Sequence, residues 1–231
     1  MSEPEFYSCA IPFAEQRSAL RSSVGQSAKA RIEAVYGTQK VGVGKADIYT
    51  LDDFLSPAQC TTLMALIDGA CNPSAVFNAD EFQGHRTSDS CNLSPYEPIV
   101  RHIDLALSGL LGIDPKHGEA LQGQRYQEGQ QFKGHADFFD IDQPYWLDVK
   151  DHGGQRTWTA MIYLDAPEAG GATAFPHLGI QAWPKAGRLL AWNNMAEDGS
   201  PNSWTIHEGC AVERGVKHIV TKWYRELPWT W

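Results

Sequence analysis

Residues 156–192 read RTWTAMIYLDAPEAGGATAFPHLGIQAWPKAGRLLAW, and this stretch decides the fold. It contains four short runs rich in β-branched and aromatic residues, a composition that favours strands. Clusters of proline and glycine separate the runs at residues 167–171 and 184–187 and predict tight turns there. Short strands joined by tight turns are typical of an antiparallel sheet, because a parallel sheet needs a long crossover after each strand.

The same pattern continues on both sides of this stretch. From residue 119 onward we predict strands at residues 121–127, 156–164, 172–175, 180–183, 187–192, 203–207 and 217–225. One more short strand is predicted earlier in the chain, at residues 49–54. So many short strands at close spacing predict an antiparallel sandwich or barrel as the core of the molecule.

Helices are predicted in the front part of the chain. Ser56 is a suitable helix N-cap and Pro57 suits the first helical position, so one helix begins there. A second helix is predicted over residues 96–111, whose apolar side chains recur at helical spacing. Residues 14–36 are predicted to be helical as well, and the sequence Gly-Val-Gly-Lys at residues 42–45 separates that segment from the strand at residues 49–54.

Length and composition describe a globular protein. The chain has 231 residues, the size of one domain with a short extension. We predict a helical N-terminal extension over residues 1–45 and one domain over residues 46–231, with its β core at about 119–226. Hydrophobic residues make up 42% of the chain and charged residues 20%, which excludes a disordered polymer and a coiled coil.

Charge and cysteine content narrow the partners and the compartment. The net charge is -9 and the basic residues are scattered, which argues against a nucleic-acid backbone as partner and favours a small molecule or a protein. No apolar run is long enough to cross a membrane, and the acidic first residues differ from a signal peptide. The five cysteines include no Cys-x-x-Cys pair, which predicts neither a disulfide framework nor a thiolate zinc site. We therefore expect a cytoplasmic protein.

His135 and Asp137 are the first residues that suggest chemistry. On an extended strand, residues two apart point to the same face, so this imidazole and this carboxylate could bind one metal ion. Two histidines and one carboxylate form the donor set of non-haem Fe(II) sites, which leaves three coordination positions open. A surface hydrogen bond between neighbouring side chains is the alternative interpretation of an isolated His-x-Asp pair.

A metal site of this kind needs a second histidine from later in the chain. Four histidines qualify by residue type, and spacing alone does not choose among them: His152, His177, His207 and His218. Lys217 gives a separate indication, because its strand places it on one face with Ile219 and Thr221, where an unpaired ammonium would be costly. The alternative is an outward-facing lysine whose stem covers apolar surface.

Further motifs occur in a fixed order along the chain. They are Arg86-Thr87-Ser88, residues 124–130, His135-Ala136-Asp137, Gly154-Gln155-Arg156, Tyr163-Leu164, Gly170-Gly171-Ala172-Thr173, Pro184-Lys185-Ala186-Gly187, residues 207–212, Gly215-Val216-Lys217 and Lys222-Trp223. In order and spacing this series resembles the prolyl 4-hydroxylase family of 2-oxoglutarate and Fe(II)-dependent dioxygenases. The resemblance covers about residues 46–226, and the ordered series is specific where each motif alone is weak.

The resemblance implies a fold and an iron site. The fold would be mainly β with flanking helices (α+β): a double-stranded β-helix, which is a form of jelly roll, supported by helices from the front of the chain. The catalytic residues and iron ligands would be His135, Asp137 and His207. The other three histidines would then be surface or strand-end residues.

The resemblance also implies roles for residues around the iron. Lys217 would bind the distal carboxylate of 2-oxoglutarate, which supplies the anion that a buried lysine needs. Tyr126, Thr173 and Tyr163 would make hydrogen bonds to the same cosubstrate.

Substrate contacts are implied by the same family pattern. Arg156 and Trp223 match positions that face the substrate in the family. Three residues depart from that pattern: Ala172 replaces a common glutamate, Phe132 a common tyrosine and Arg225 a histidine found in some members. Phe132 and Arg225 are expected near the mouth of the site, where they would alter the choice of substrate.

The implied activity is a hydroxylation that needs Fe(II), 2-oxoglutarate and O2, with ascorbate as an auxiliary reductant. Decarboxylation of 2-oxoglutarate to succinate and CO2 would generate an Fe(IV)-oxo species, which abstracts hydrogen from a C–H bond and returns a hydroxyl. The expected substrate is a prolyl residue of a peptide or protein, as for soluble bacterial members. Two alternatives stay open: the same chemistry on a free amino acid or small molecule, and a low-turnover jelly-roll module that binds a ligand or senses oxygen.

Overall fold

The computed structural model describes residues 16–42, 44–74 and 85–229. Within these residues the helices are α1 Ala19–Glu33, α2 Pro57–Ala70, α3 Pro98–Leu111 and α4 Trp146–Asp151. The strands are β1 Gln39–Lys40, β2 Ile48–Leu51, β3 Asn72–Pro73, β4 Asp89–Asn92, β5 Gln122–Tyr126, β6 Phe132–His135, β7 Arg156–Tyr163, β8 Ala169–Gly170, β9 Thr173–Phe175, β10 Ile180–Ala182, β11 Leu189–Asn193, β12 His207–Gly209, β13 Val212–Arg214 and β14 Lys217–Arg225.

These strands form two facing sheets and a small ribbon. The major sheet has the order β1-β2-β11-β7-β14-β5-β4-β3, the minor sheet has the order β10-β9-β12-β6, and β13 pairs with β8 in the ribbon. All pairings between these strands are antiparallel. The predicted class, a mainly β jelly roll with flanking helices, is confirmed.

Both faces of the central strand β7 are buried, against different layers. Trp158, Ala160 and Ile162 pack in one cluster with the helices, whereas Met161 and Tyr163 pack in a second cluster between the two sheets. Successive side chains of a strand point to opposite faces, so a strand that is covered on both sides has no polar face. This explains the apolar and aromatic character of residues 160–164.

Helix α2 begins where its sequence predicts. The Ser56 side chain accepts a hydrogen bond from the backbone N–H of Gln59, and the Gln59 side chain accepts one from the Ser56 N–H, which completes a capping box. Helix α3 begins at Pro98 and ends at Gly112, whose φ of 68° is the left-handed conformation that favours glycine. No helix among the described residues is long and apolar enough to span a lipid bilayer.

Helix α1 lies within the predicted helical segment 14–36, of which the part before residue 16 lies outside the described residues. Ala28 and Ile32 are fully buried in the cluster that also contains the apolar face of α3. Arg21 donates to the carbonyl oxygen of Gly199 at 2.6 Å and forms an ion pair with Glu226 at 3.2 Å. The boundary of an N-terminal extension at residue 45 stays a prediction.

Two parts of the strand prediction differ from the structure. Residues 203–205 form a turn of 3-10 helix instead of a strand, because the Asn202 side chain accepts from the backbone N–H of Trp204 and holds the turn. The strand itself begins at His207. Conversely, six observed strands were not predicted, because each is only two to four residues long and lacks a run of β-branched and aromatic residues: β1, β3, β4, β6, β8 and β13.

A buried ion pair fixes α3 to β14. Lys222 Nζ lies 2.5 Å from Asp104 Oδ1, and the Lys222 side chain is 2% exposed, compared with 26% for Asp104. Asp104→Asn should lower the free energy of unfolding by about 3 kcal/mol, because it leaves a buried ammonium without its counter-charge. Lys222→Met should cost less than about 1.5 kcal/mol, because methionine fills a similar volume and the remaining carboxylate reaches water. Urea unfolding measures both variants, and equal losses would contradict this account.

Candidate active site

The structure brings His135, Asp137 and His207 together between the sheets. His135 ends β6 and lies directly opposite His207 on β12, while Asp137 lies two residues beyond the end of β6. The Asp137 carboxylate oxygens lie 4.0 Å from His135 Nε2 and 3.8 Å from His207 Nε2. One ligand atom from each residue lies within 4.8 Å of the others, so the three could hold one metal ion.

Hydrogen bonds orient both imidazole rings. His135 Nδ1 lies 2.9 Å from the carbonyl oxygen of Lys133, and His207 Nδ1 lies 3.0 Å from that of Thr205. A carbonyl only accepts, so each Nδ1 donates its proton and the Nε2 lone pair is directed into the site. This is the tautomer that a metal ligand needs.

The protonation states of His135 and Asp137 also suit the binding of a metal ion. Burial, followed by the neighbouring His207, lowers the pKa of His135 to about 3, so this ring is neutral at pH 7. Burial alone would raise the pKa of the Asp137 carboxyl, but His207, His135 and Arg156 outweigh it and the pKa is lowered. Neutral imidazoles and an ionised carboxylate are the protonation states that bind metal cations.

A short chain of hydrogen bonds holds the Asp137 carboxylate. The Thr159 hydroxyl on β7 donates to Asp137 Oδ2 at 2.7 Å, and the Asn194 amide donates to the Thr159 hydroxyl at 2.9 Å. All three side chains are buried. One carboxylate oxygen is therefore fixed by the major sheet while the other remains for a cation.

Lys217 is 1% exposed and begins β14. Its ammonium donates to the carbonyl oxygen of Gly171 at 3.0 Å and lies 4.2 Å from the centre of the Tyr126 ring. Gly171 presents that carbonyl from a backbone with φ of 74°, a conformation that favours glycine. Burial lowers the pKa of Lys217 to about 8, and no carboxylate among the described residues forms an ion pair with it. Such an ammonium fits the carboxylate of a ligand.

The hydroxyl groups expected around the cosubstrate are partly engaged by the protein. Tyr126 lies directly opposite Lys217 in the β5–β14 ladder, and its hydroxyl donates to Gln124 Oε1 at 2.8 Å. The Tyr163 hydroxyl lies 2.7 Å from Thr173 Oγ1 and 3.0 Å from the carbonyl oxygen of Ala182. The carbonyl can only accept, so the Tyr163 proton is shared with it and the Thr173 hydroxyl can donate to the Tyr163 oxygen. In the structure each of these hydroxyl groups therefore has a partner within the protein.

Arg156 and Trp223 come together beside the metal candidates. The Arg156 guanidinium makes hydrogen bonds of 2.6 and 2.7 Å to Glu119, and its central carbon lies 4.1 Å from the centre of a Trp223 ring. Trp223 is directly opposite Thr159 in the β14–β7 ladder, so this pair lies on the side of the site that holds Asp137.

Arg156 and Trp223 form one wall of the site together with Phe139, Arg225 and Glu119. Phe139 lies 4.9 Å from the Arg156 guanidinium and 4.5 Å from that of Arg225. Arg225 also pairs with Glu119 at 2.6 Å, so one carboxylate serves two buried guanidiniums. Although burial opposes ionisation of Glu119, Arg156 and Arg225 lower its pKa.

On the opposite side, Phe132 stacks on His135 with ring centres 3.6 Å apart. The Arg86 guanidinium lies 5.0 Å from the Phe132 ring and is held by Ser88 and by Gln122. Of the two residues expected near the mouth of the site, Phe132 thus lies against His135, whereas Arg225 lies with Glu119 and Phe139.

The other three candidate histidines lie outside the cluster of His135, Asp137 and His207. His177 Nδ1 is bound to the carbonyl of Ser203, and His152 Nδ1 to that of Asp148. His218 is the second residue of β14 and so lies at a strand end. It is buried between Asp165, at 2.6 Å, and Asp68, at 3.2 Å. Burial opposes its charged form, but these carboxylates raise its pKa.

Sequence reasoning missed four residues of this site: Glu119, Phe139, Thr159 and Asn194. Thr159 carried one usable signal, since it is a polar residue in a strand with two buried faces and so must have a polar partner. The others lie in connections, where the local sequence does not show what they face.

Comparison with known proteins identifies the family. The model of the 2OG-Fe(II) oxygenase superfamily matches residues 121–225. Prolyl 4-hydroxylase 2 of Arabidopsis thaliana is 30% identical over 205 residues, covering 78% of this chain and 67% of that protein. The chain belongs to the prolyl 4-hydroxylase family of 2-oxoglutarate and Fe(II)-dependent dioxygenases. It is an enzyme family that uses Fe(II), 2-oxoglutarate and O2.

Other relatives extend this result. Prolyl 4-hydroxylase subunit alpha-1 of Mus musculus is 33% identical over 188 residues, which is 79% of this chain and 35% of the subunit. The chain thus spans about a third of the length of the animal subunits it matches. The viral collagen prolyl hydroxylase of Paramecium Bursaria Chlorella virus-1, solved with 2OG, is 28% identical with a TM-score of 0.60, covering 76% of this chain and 94% of that one. A Pseudomonas putida prolyl-4-hydroxylase, 19% identical with a TM-score of 0.53 over 86% of this chain and 98% of that one, supports the fold.

The hydrogen bond from Thr159 to Asp137 gives a test of metal binding. Thr159→Val removes the only donor that fixes Asp137 Oδ2 among the described contacts, so affinity for a divalent metal should fall by about 10- to 100-fold. Calorimetric titration with Mn(II) measures the affinity without turnover. Thr157→Val is the matched control, because this buried threonine lies on the same strand and donates to the Tyr224 carbonyl instead. Equal affinity losses in both variants would refute the positioning role of Thr159.

The lowered pKa of Lys217 predicts two opposite effects of pH. Above pH 8 the lysine of the free protein loses its proton, so affinity for 2-oxoglutarate should fall as pH rises, by up to about tenfold per unit. From pH 8 to 10.5 the unfolded chain binds this proton more than the folded chain does, so this group makes folding more favourable as pH rises. Lys217→Met should lose both dependences.

Titration calorimetry of 2-oxoglutarate into the Mn(II) protein measures the first effect, and urea unfolding measures the second. A wild-type affinity that does not change with pH across this range would contradict the lysine–carboxylate contact.

Proposed function

We propose that this protein hydroxylates a prolyl residue in a peptide or protein substrate, in a reaction dependent on 2-oxoglutarate and O2. The observation that carries the proposal is the wall of Trp223, Arg156 and Phe139 next to Asp137. A saturated five-membered ring packs well on an indole face, and a peptide offers carbonyl groups to nearby donors. The relatives named prolyl 4-hydroxylase support the same substrate class.

The roles of the site residues form part of this proposal. His135, Asp137 and His207 would hold Fe(II), and Lys217 would bind the distal carboxylate of 2-oxoglutarate, with Thr173, Tyr126 and Tyr163 around it. When bound, iron and 2-oxoglutarate activate O2 for hydroxylation of a C–H bond, with succinate and CO2 as coproducts.

The protein's own residues orient the metal ligands and exclude water from the site. Thr159 and Asn194 fix the direction of the Asp137 carboxylate, and the rings of Phe132, Trp192 and Phe175 pack around the two histidines. A site enclosed by these rings excludes water from the reacting centre and restricts the substrate to one direction of approach.

Substrate contact is assigned to Arg156 and Trp223. Glu119 holds the Arg156 guanidinium in place with two hydrogen bonds, so its face is presented in a fixed orientation against the indole. The Trp223 indole N–H is buried and has no hydrogen-bond partner among the described residues.

Two expectations from the sequence stay predictions: a cytoplasmic location, and ascorbate as an auxiliary reductant. A prolyl hydroxylase from Trichoplax adhaerens was solved with a hypoxia inducible factor peptide, but at 14% identity it supports the shared fold and not a shared substrate.

The experiment measures succinate formation and oxygen incorporation with a library of proline-containing peptides, against free proline and other small molecules. We expect a hydroxylated peptide, detected by mass spectrometry, in equal amount to succinate. Trp223→Ala should lower kcat/KM for the peptide at least about tenfold, because it removes a buried aromatic contact. Calorimetric affinity for 2-oxoglutarate should stay unchanged.

Trp183→Ala is the matched control, since this tryptophan is 54% exposed and should alter neither value. Turnover of free proline but of no peptide would reject the peptide proposal in favour of a small-molecule hydroxylase. Binding of 2-oxoglutarate without turnover of any candidate would favour a ligand-binding module.

A further inference from the structure

Two thiols lie close together at the far edge of the major sheet. Cys71 comes directly after the end of α2, Cys91 lies within β4, and their Sγ atoms are 2.9 Å apart. Both side chains are partly buried, and both pack against the helix-side core. The two residues are separated by twenty positions and form no recognised sequence motif, so no local pattern pairs them.

The backbone places these cysteines in a geometry suited to a disulfide. In the antiparallel β3–β4 ladder Asn72 is opposite Ser90 and Pro73 is opposite Asp89, so Cys71 comes opposite Cys91 at the next step. Directly opposite residues have Cα atoms about 4.5–5.5 Å apart. That distance falls inside the range of about 4.4–6.8 Å that a disulfide spans. A bond therefore needs side-chain rotation and no movement of the strands.

The neighbouring strand leaves room for the two sulfurs. Gly123 on β5 lies directly opposite Cys91, and its carbonyl oxygen is 3.7 Å from Cys71 Sγ. A Cβ at position 123 would lie 2.5 Å from Ile67 and 3.4 Å from Cys91 Sγ. Glycine is thus the residue that lets α2 and the thiol pair approach β5 this closely.

We propose that Cys71 and Cys91 form a reversible disulfide that joins the end of α2 to β4. The oxidant is a small disulfide such as oxidised glutathione. One of the two cysteine thiolates attacks it and releases one glutathione thiolate, and the other cysteine then attacks the mixed disulfide and releases the second. Two cysteine thiols are oxidised to one S–S bond, and one glutathione disulfide is reduced to two thiols.

The bond would support one border of the candidate site. Residues 85–87 precede β4 and continue the minor sheet alongside β6, because Lys133 N donates to the His85 carbonyl at 2.8 Å and Thr87 N donates to the Gln131 carbonyl at 3.0 Å. Arg86, which lies over Phe132, belongs to this segment. Cys91 lies five residues beyond Arg86, so a covalent tie at Cys91 fixes β4, the strand that this segment leads into.

The test uses the full-length protein, equilibrated in buffers that range from reduced to oxidised glutathione. Remaining thiols are then alkylated, and the protein is digested without reduction for peptide mapping. We expect a linked peptide pair that contains Cys71 and Cys91, reversible by reductant. Thermal unfolding of the oxidised form should occur about 6–12 °C higher, as closure of a loop of this size implies for a chain of this length.

Single variants test the pairing. Cys71→Ser and Cys91→Ser should each lose the linked peptide pair and the rise in unfolding temperature. Cys210→Ser is the control and should retain the linked pair. Hydrogen exchange gives an independent readout, because the amide of Ser74, which donates to the Ser88 carbonyl, should exchange more slowly in the oxidised protein.

Alkylation of both thiols at every glutathione ratio would overturn the proposal. A linked pair without any rise in the unfolding temperature would overturn its stabilising role. Neither readout uses enzyme turnover, so the result is independent of the substrate.

Discussion

The pairing of β14 with β5 on one side and β7 on the other is the constraint on which the rest of the structure depends. Its register places Lys217 opposite Tyr126 at one end and Trp223 opposite Thr159 further along. The two ends of the candidate site are thus two positions on one strand. A shift of this strand by one residue would turn Lys217 towards the helices. The side chains that now face the helices would then face the site.

Buried charged side chains are concentrated around this strand, and they differ in whether the protein supplies a partner of opposite charge. Lys222 faces the helices and is matched by Asp104, while Glu119 is shared by Arg156 and Arg225. Lys217 has a carbonyl and an aromatic ring but no carboxylate of the described chain. The charges of Lys222, Arg156 and Arg225 are thus matched within the protein, whereas the Lys217 ammonium is left without a carboxylate partner among the described residues.

Much of the β core could be predicted from sequence because its strands are apolar on both faces and end at proline and glycine. The same reasoning failed at β6, whose four residues Phe132–His135 include lysine, glycine and histidine and carry no strand signal. It also could not choose among the later histidines without the family resemblance, since the proximity of His207 to His135 depends on a long-range strand pairing. The roles of Glu119 and Asn194 could not be predicted either, because their contacts also depend on distant segments of the chain. Local patterns reveal periodicity and turns, whereas contacts between distant segments depend on the whole topology.

The direct opposition of His135 and His207 has a consequence for the order in which the molecule loosens. A cation bound by both histidines would be a crosslink between β6 and β12, closing a loop that includes most of the β core. In its absence β6 is held by a few backbone hydrogen bonds to β12 and to residues 85–87. Metal binding and the attachment of β6 to the minor sheet would then be thermodynamically linked. Because β6 supplies His135, the free energy of opening this strand would depend more on metal binding than that of any other part of the sheet.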